Sequence, residues 1–169
     1  MKGSLSNRAV LFAAAAFVAI LIAGCTNNSS NFMSKASQGA MTEVQLGQLA
    51  LQRASSDSVK RFAQQLIADH TKANNELKQL AAKKSVQLPT EINAEQKSTI
   101  DRLSSLNGPE FDKEFMKHMV DDHEKDVNEF QKQAESGNDA DVKAFAAKTL
   151  PTLQQHLQMS RDTVAKIAP

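Results

Sequence analysis

The sequence predicts an all-α protein, a four-helix bundle in which a long crossover connection joins the second helix to the third. Gly and Pro are scarce, with 6 and 4 in 169 residues, and long stretches are rich in residues that favour helix over strand. Apolar residues recur at helical spacing in four long segments. Short turns join the first segment to the second and the third to the fourth, whereas a long stretch separates the second from the third, which is typical of a bundle with a crossover.

The first 24 residues predict a signal peptide. Lys2 and Arg8 precede an apolar run over 9–22, which is shorter than the ~20 residues that span a bilayer and fits the apolar region of a signal peptide. The following Ile22-Ala23-Gly24-Cys25 resembles the lipobox of bacterial lipoproteins, with Ile22 where Leu is more usual. That resemblance implies cleavage before Cys25 and its lipidation. An ordinary signal peptide cut nearby and an uncleaved N-terminal anchor are the alternatives.

Cys25 is the only cysteine of the chain, so it cannot form an internal disulfide. Acyl chains on it would anchor the mature domain to a membrane, since each buried CH₂ contributes ~0.8 kcal/mol. Thr26 and Asn27 follow without an acidic second residue, which favours the outer membrane under the enterobacterial sorting habit, with the domain in the periplasm. Removal of Lys2 and Arg8 with the signal peptide changes the net charge from +1 to −1. This balance predicts no nucleic-acid partner and identifies no protein partner.

The mature chain is predicted to comprise a flexible tether over 25–38 and a four-helix bundle domain over 39–169. The tether is rich in Ser and Asn without apolar periodicity. Pro151 lies inside the last helix and predicts a kink or a division there. The four long helices are predicted over 36–54, 58–84, 109–135 and 140–167, and a weaker helical stretch over 91–106 lies in the crossover.

Polar residues within the apolar stripes are the informative feature of the predicted core. His70, His123 and His156 each lie at helical spacing from apolar neighbours, and Glu43 borders the inner face of the first helix. Glu43 and His70 are each 13 residues from the turn between the first two helices. If the crossover returns the chain to that end, His123 and His156 lie at the same depth within ~5 Å. One carboxylate and three imidazoles are therefore expected to meet near the middle of the bundle.

This donor set predicts a site for a single divalent metal ion, because imidazole nitrogens and a carboxylate oxygen suit Zn²⁺, Fe²⁺ or Mn²⁺. Asp69 and Asp122 each precede a candidate ligand and are expected at the rim or as second-layer groups that orient an imidazole. His118 is expected at the surface or rim. The alternative is a buried His–Glu–Asp hydrogen-bond layer without metal, or positions that partly face solvent.

Several motifs together resemble one bacterial family, known as domain of unknown function 4142. The resemblance covers about residues 36–165 and implies a ferritin-like four-helix fold and an envelope location, with no established reaction. Ferritin-like di-iron proteins carry Glu three residues before His, whereas Ile67, Val120 and Leu153 stand there in this chain, so di-iron chemistry is not predicted. The motifs are Val59-Lys60-Arg61-Phe62-Ala63, Asp69-His70-x-x-Ala73-Asn74, Phe111-Asp112, Met119-Val120-x-x-His123 and Leu150-Pro151-x-Leu153-x-x-His156-Leu157.

The sequence thus favours a lipid-anchored envelope protein of unassigned activity that binds one metal ion in the bundle core and is linked to envelope stress. A non-enzymatic structural or interaction module is the alternative, and a redox or hydrolytic metalloenzyme with an open coordination position is a third interpretation. The sequence contains no G-x-S-x-G motif, no phosphate-binding loop and no second cysteine, so a serine or cysteine hydrolase and a kinase are not predicted.

Overall fold

The computed structural model describes residues 16–167, and their side chains from Asn28 onward. The predicted signal peptide over 1–24 lies partly outside this range, and the side chain of Cys25 lies outside it. Every regular element in the described range is a helix, which confirms the all-α prediction. The helices are α1 (Ala16–Arg53), α2 (Asp57–Lys83), α3 (Ala94–Ser104), α4 (Gly108–Ser136) and α5 (Ala140–Ile167).

Four long helices form the bundle, and the short α3 lies outside them. α1 packs along α2, α4 packs along α5, and contacts of α2 with α5 and of α1 with α4 close the bundle, while α3 rests on α1 and α4. The Asp112 carboxylate at the start of α4 accepts hydrogen bonds from the backbone N–H groups of Ser55 and Ser56, at 3.2 and 2.8 Å. At the opposite end, Lys84 pairs with Asp139 at 2.8 Å. The connection over 84–107 therefore carries the chain from one end of the bundle to the other, as the predicted crossover requires.

The buried apolar residues form two clusters, one toward each end of the bundle. The cluster near the α1–α2 turn contains Phe62, Phe111 and Phe115, and the cluster at the other end contains Phe32 and Phe130. Buried polar residues lie between the two clusters along the helices. The apolar cores therefore enclose a polar layer near mid-height.

The flexible tether predicted over 25–38 differs from the structure, in which residues 28–38 belong to α1. Phe32 and Met33 are buried in the second apolar cluster, and the Ser37 hydroxyl donates a buried hydrogen bond of 3.0 Å to Asn74 Oδ1. The abundance of Ser and Asn hides a helical spacing of Ser29, Phe32, Met33 and Ser37 on one inward face. The packed bundle therefore begins before residue 39.

Pro151 does not divide the last helix, since α5 continues through it to Ile167. Pro151 and Ala147 are both exposed. The carbonyl of Ala147, which loses its usual partner to the proline ring, can therefore bond to water instead.

None of the helices within the described residues is sufficiently long and apolar for a membrane span.

Candidate metal centre

The polar layer brings together three histidines, one from each of α2, α4 and α5. His70, His123 and His156 are at most 5% exposed, and each offers one ring nitrogen within 4.8 Å of the others. The ring centroids form a nearly equilateral triangle, with His70 5.8 Å from His123 and 5.3 Å from His156, and 5.3 Å between the last two. The three histidines therefore meet at the depth in the bundle that counting residues along the helices predicts.

Glu43 supplies a carboxylate from α1 beside two of these rings. Its Oε2 lies 2.7 Å from His70 Nδ1, and its Oε1 lies 3.3 Å from His123 Nε2. Neither contact has the direction of a hydrogen bond, so both oxygens of this 1% exposed side chain remain unpartnered within the described residues. Nε2 of His70 is unpartnered in the same way. Unpaired polar atoms in a dry core are costly, and a cation among them would satisfy them.

His123 and His156 belong to a chain of three polar contacts. His123 Nδ1 lies 2.9 Å from the carbonyl oxygen of Met119, His123 Nε2 lies 3.3 Å from His156 Nδ1, and His156 Nε2 lies 2.8 Å from Asp69 Oδ2. The Met119 carbonyl and the Asp69 carboxylate, at the two ends of this series, can only accept hydrogen bonds. Each of the three contacts therefore needs a proton from one of the two rings. Two neutral imidazoles carry only two protons. When both outer contacts are made, the nitrogens that face each other both present lone pairs.

Burial disfavours a third proton on the His123 and His156 rings. It lowers the pKa of both His123 and His156, and the neighbouring His70 lowers the pKa of each further. Burial also raises the pKa of Asp69, but hydrogen bonds from Gln65 and His156 outweigh it, so the pKa of Asp69 is lowered overall. Asp69 is therefore ionised near neutral pH, and the two rings are neutral. Two facing lone pairs are the arrangement that a shared cation requires.

Burial shifts Glu43 and His70 in opposite directions. It raises the pKa of Glu43 from 4.5 to about 8 and lowers the pKa of His70 from 6.5 to about 4. In the metal-free protein at neutral pH, the proton of this pair therefore resides on Glu43 and the His70 ring is neutral. A ring in this state can bind a metal without losing a proton, whereas the carboxyl group must release one.

Two of the distances between donor atoms fit one ion. A tetrahedral ion with bonds of ~2.0–2.1 Å to nitrogen separates two of its ligand atoms by about 3.3 Å. The His123–His156 and His123–Glu43 contacts are both 3.3 Å. Phe62 packs edge-on against both rings, with centroids 6.3 and 6.2 Å away, so the centre has an apolar side that limits the approach of water.

The remaining residues considered from the sequence, Asp69, Asp122 and His118, lie in different places around the triad. Asp69 holds His156 from outside, as a group that orients a metal-binding imidazole does. Asp122 is half-buried, and its charge contributes to raising the pKa of Glu43, after the larger effects of burial and His123. His118 is half-buried outside the triad, and burial lowers its pKa.

Asp126 was not among the residues singled out from the sequence. It lies beside Glu43 and His70 in the wall of a cleft, and burial, with Glu43 as the next largest cause, raises its pKa well above the usual value. Its position three residues after His123 places it one turn further along the same helix face. That spacing was the signal available in the sequence.

Comparison with known proteins identifies the family. The family profile described as a domain of unknown function, DUF4142, matches residues 22–163. The chain belongs to this DUF4142 family. A comparison with curated proteins gives no match.

Solved structures share the fold of this DUF4142 chain at low sequence identity. A DUF305 fragment from Deinococcus radiodurans has a TM-score of 0.72 at 13% identity and covers 82% of this chain and 95% of its own. A putative secreted DUF305 protein from Streptomyces coelicolor has a TM-score of 0.71 at 12% identity, covering 82% and 91%. CopM in its Cu(II)-bound form has a TM-score of 0.70 at 14% identity, covering 83% and 97%.

Proposed function

We propose that this DUF4142 chain binds one transition-metal ion in the core of its bundle. His70, His123 and His156 donate ring nitrogens, and a Glu43 oxygen completes the set. The observation that carries the proposal is the 3.3 Å separation of His123 Nε2 and His156 Nδ1, on two rings whose other nitrogens lie against the acceptors Met119 O and Asp69 Oδ2. A divalent ion between them supplies the positive charge that a third proton would otherwise have to supply.

The donor atoms narrow the choice of metal. Three imidazoles and one carboxylate suit Zn²⁺, Fe²⁺ and Mn²⁺, and imidazole also binds copper well. CopM, which shares the fold, has been solved with Cu(II) and with Cu(I). Copper therefore joins Zn, Fe and Mn as a candidate for this site, and the comparison supports no choice among them.

The test is elemental analysis of the full chain purified without an affinity tag or chelator, alongside titration with each of the four metals. About one ion per chain is expected for the wild type. His123→Ala is expected to lose the ion. His118→Ala is the matched control, because His118 is the histidine outside the triad, and it is expected to keep the ion.

The second candidate function is that of a structural or interaction module without metal. In it, the same residues form a buried polar layer that only supports the fold. The hydrogen bonds from His123 to Met119 O and between His156 and Asp69 favour it, because they hold both rings without an ion. The two candidates give opposite results in the titration. If the wild type binds no metal and His123→Ala changes only the stability, the metal proposal is wrong.

We also propose that the bundle is of the ferritin-like type and that the mature chain is an envelope lipoprotein anchored through Cys25, with its domain in the periplasm and a role in envelope stress. The crossover topology and the lipobox-like Ile22-Ala23-Gly24-Cys25 support the fold type and the anchor, respectively. Cys25→Ser is expected to abolish lipid labelling and to move the chain to the soluble fraction. A labelled, membrane-bound Cys25→Ser product would contradict the anchor.

A further inference from the structure

A narrow cleft connects the candidate metal centre with the surface of the bundle. It is lined by all four long helices and has a cavity volume of about 50 Å³. Glu43 and His70, with side chains 1% and 7% exposed, lie at its inner end. Lys35 and Glu129, with side chains 70% and 43% exposed, lie at its outer end. The cleft therefore gives solvent a path to donors that are otherwise buried.

The size of the cleft limits what can use it. A cavity of ~10–15 Å³ is enough for one water molecule, so the cleft admits an ion with a few waters. Pockets for organic ligands are larger, typically ~300 Å³ or more. Apolar side chains such as Phe32, Phe130 and Phe145 form much of the wall. Part of the α1 wall consists of the small residues Ala36, Gly39 and Ala40, and a Cβ added at Gly39 would have no atom within 4 Å.

Carboxyl groups occur at intervals along this path. Glu129 lies at the mouth, Asp126 lines the cleft one turn nearer the centre on α4, and Glu43 lies at the inner end with both oxygens unpartnered in the described part of the chain. His123 follows one further turn along α4. A cation moving inward would thus meet one carboxyl group after another between apolar walls.

Building on the proposed metal site, we propose that this cleft is the route by which the ion reaches and leaves the centre, and that Asp126 binds the ion in passage. The Lys35–Glu129 ion pair at the mouth, with Nζ and Oε1 3.6 Å apart, is exposed and contributes little stability. The ion pair therefore opens readily when a cation arrives. Glu129 then binds the cation and releases it to Asp126. Glu43 and the three imidazoles receive the ion at the end of the path.

The first test measures Co²⁺ uptake by the full chain in stopped-flow absorbance. Asp126→Asn is expected to slow association by about tenfold or more, because it removes, midway along the path, the carboxyl group that becomes charged as the ion arrives. Dissociation is expected to slow in parallel, so the equilibrium affinity stays close to that of the wild type. The control is Asp121→Asn, which removes an exposed charge of the same helix outside the cleft. Equal association rates for the two variants would overturn the proposal.

A second variant narrows the cleft without touching a charge. Gly39→Leu fills the open space at the α1 wall and replaces a residue that is unfavourable within a helix, so the fold is expected to persist. It should load Co²⁺ more slowly than Gly39→Ala, which adds one carbon in the same open space. Equal loading rates of these two variants would count against the cleft as the route.

The outcomes separate the two proposals. A wild-type chain that takes up neither Co²⁺ nor any of the four candidate metals at equilibrium refutes the metal site itself. A wild type that binds Co²⁺, with an Asp126→Asn variant that only loses affinity at an unchanged association rate, makes Asp126 a resident ligand and refutes its role in passage.

Discussion

His123 Nε2 and His156 Nδ1 lie 3.3 Å apart, and each ring directs its other nitrogen to an oxygen acceptor. The acceptors, Met119 O and Asp69 Oδ2, come from different helices, so the two rings are fixed independently. A metal-binding histidine characteristically has its second nitrogen held in this way, which sets the tautomer and the ring orientation. The pair is thus prepared for an ion by hydrogen bonds outside the centre.

The hydrogen bond from His156 to Asp69 predicts an effect of Asp69 on affinity. Asp69→Asn leaves the three rings and Glu43 in place but removes the anionic acceptor, and it is expected to weaken metal affinity by about 10- to 100-fold. Competition with a chromophoric chelator measures this change. Gln65→Ala, which removes the hydrogen bond that the same oxygen, Asp69 Oδ2, accepts from Gln65 Nε2, is expected to have a smaller effect. Equal affinities of Asp69→Asn and the wild type would show that Asp69 does not support the ring.

Glu43 predicts a release of protons when the ion binds. Because burial raises the pKa of Glu43 to about 8, its carboxyl group is mostly protonated at neutral pH and must give up nearly one proton per ion. Calorimetric titration in two buffers of different ionisation enthalpy counts the protons. Glu43→Gln is expected to release none while the imidazoles still bind more weakly. A wild-type release near zero would mean that Glu43 is not a ligand or is already ionised.

The same shift predicts how the stability of the metal-free protein depends on pH. The folded state holds on Glu43 a proton that the unfolded chain releases above its ordinary pKa of 4.5. This contribution is present below pH 4.5 and is lost as the pH rises toward about 8. The free energy of unfolding should therefore fall relative to that of Glu43→Gln by roughly 1 kcal/mol per pH unit across this window.

Denaturant unfolding of the metal-free wild type and Glu43→Gln across this window checks the prediction. The His70 contribution has the opposite sign, since burial lowers the pKa of His70 from 6.5 to about 4 and its stability is lost as the pH falls. It is common to both proteins and cancels in their difference. A pH-independent difference would contradict the raised pKa of Glu43.

Gly47 predicts a packing effect between α1 and α2. A Cβ at Gly47 would lie 2.7 Å from Ile67 Cγ1 and 3.2 Å from the carbonyl oxygen of Ala63, so Gly47→Ala must displace the Ile67 side chain and crowd the α2 backbone, and it is expected to cost about 1–3 kcal/mol. Gly39→Ala is the matched control on the same helix, where no atom lies within 4 Å, and it is expected to stabilise the helix by roughly 0.5–1 kcal/mol. Thermal unfolding of both variants measures the difference. Similar melting temperatures would contradict the close approach.

The height of each donor was predictable from the sequence, because helical rise converts residue number directly into distance. The turn between the first two helices was enough to place Glu43 and His70 at one level, and the crossover brought His123 and His156 to the same depth. The rotation of each helix about its axis was harder to predict. Val164 fits the apolar spacing of the last helix, yet it is 37% exposed, while Ser160 and Thr163 are buried.

Other features depend on tertiary contacts that no local pattern contains. The segment over 28–38 is polar enough to suggest a tether, but Phe32 finds a partner in Phe130, nearly a hundred positions away, with ring centroids 5.0 Å apart. Asp126 is one acidic residue among several on α4, and only the position of Glu43 on α1 gives it significance. The tautomers of His123 and His156, and the number of protons that they carry, likewise follow only from the distances between side chains of different helices.

The distribution of donors over the helices has a mechanical consequence. Glu43 and His70 belong to the α1–α2 hairpin, and His123 and His156 belong to the α4–α5 hairpin. An ion bound to all four is a reversible cross-link between two halves that are otherwise joined by the crossover, by side-chain packing and by polar contacts such as those of Asp112 and Lys84. A chelator would then act on the assembly of the halves, and an ion would oppose exchange of hairpins between neighbouring chains.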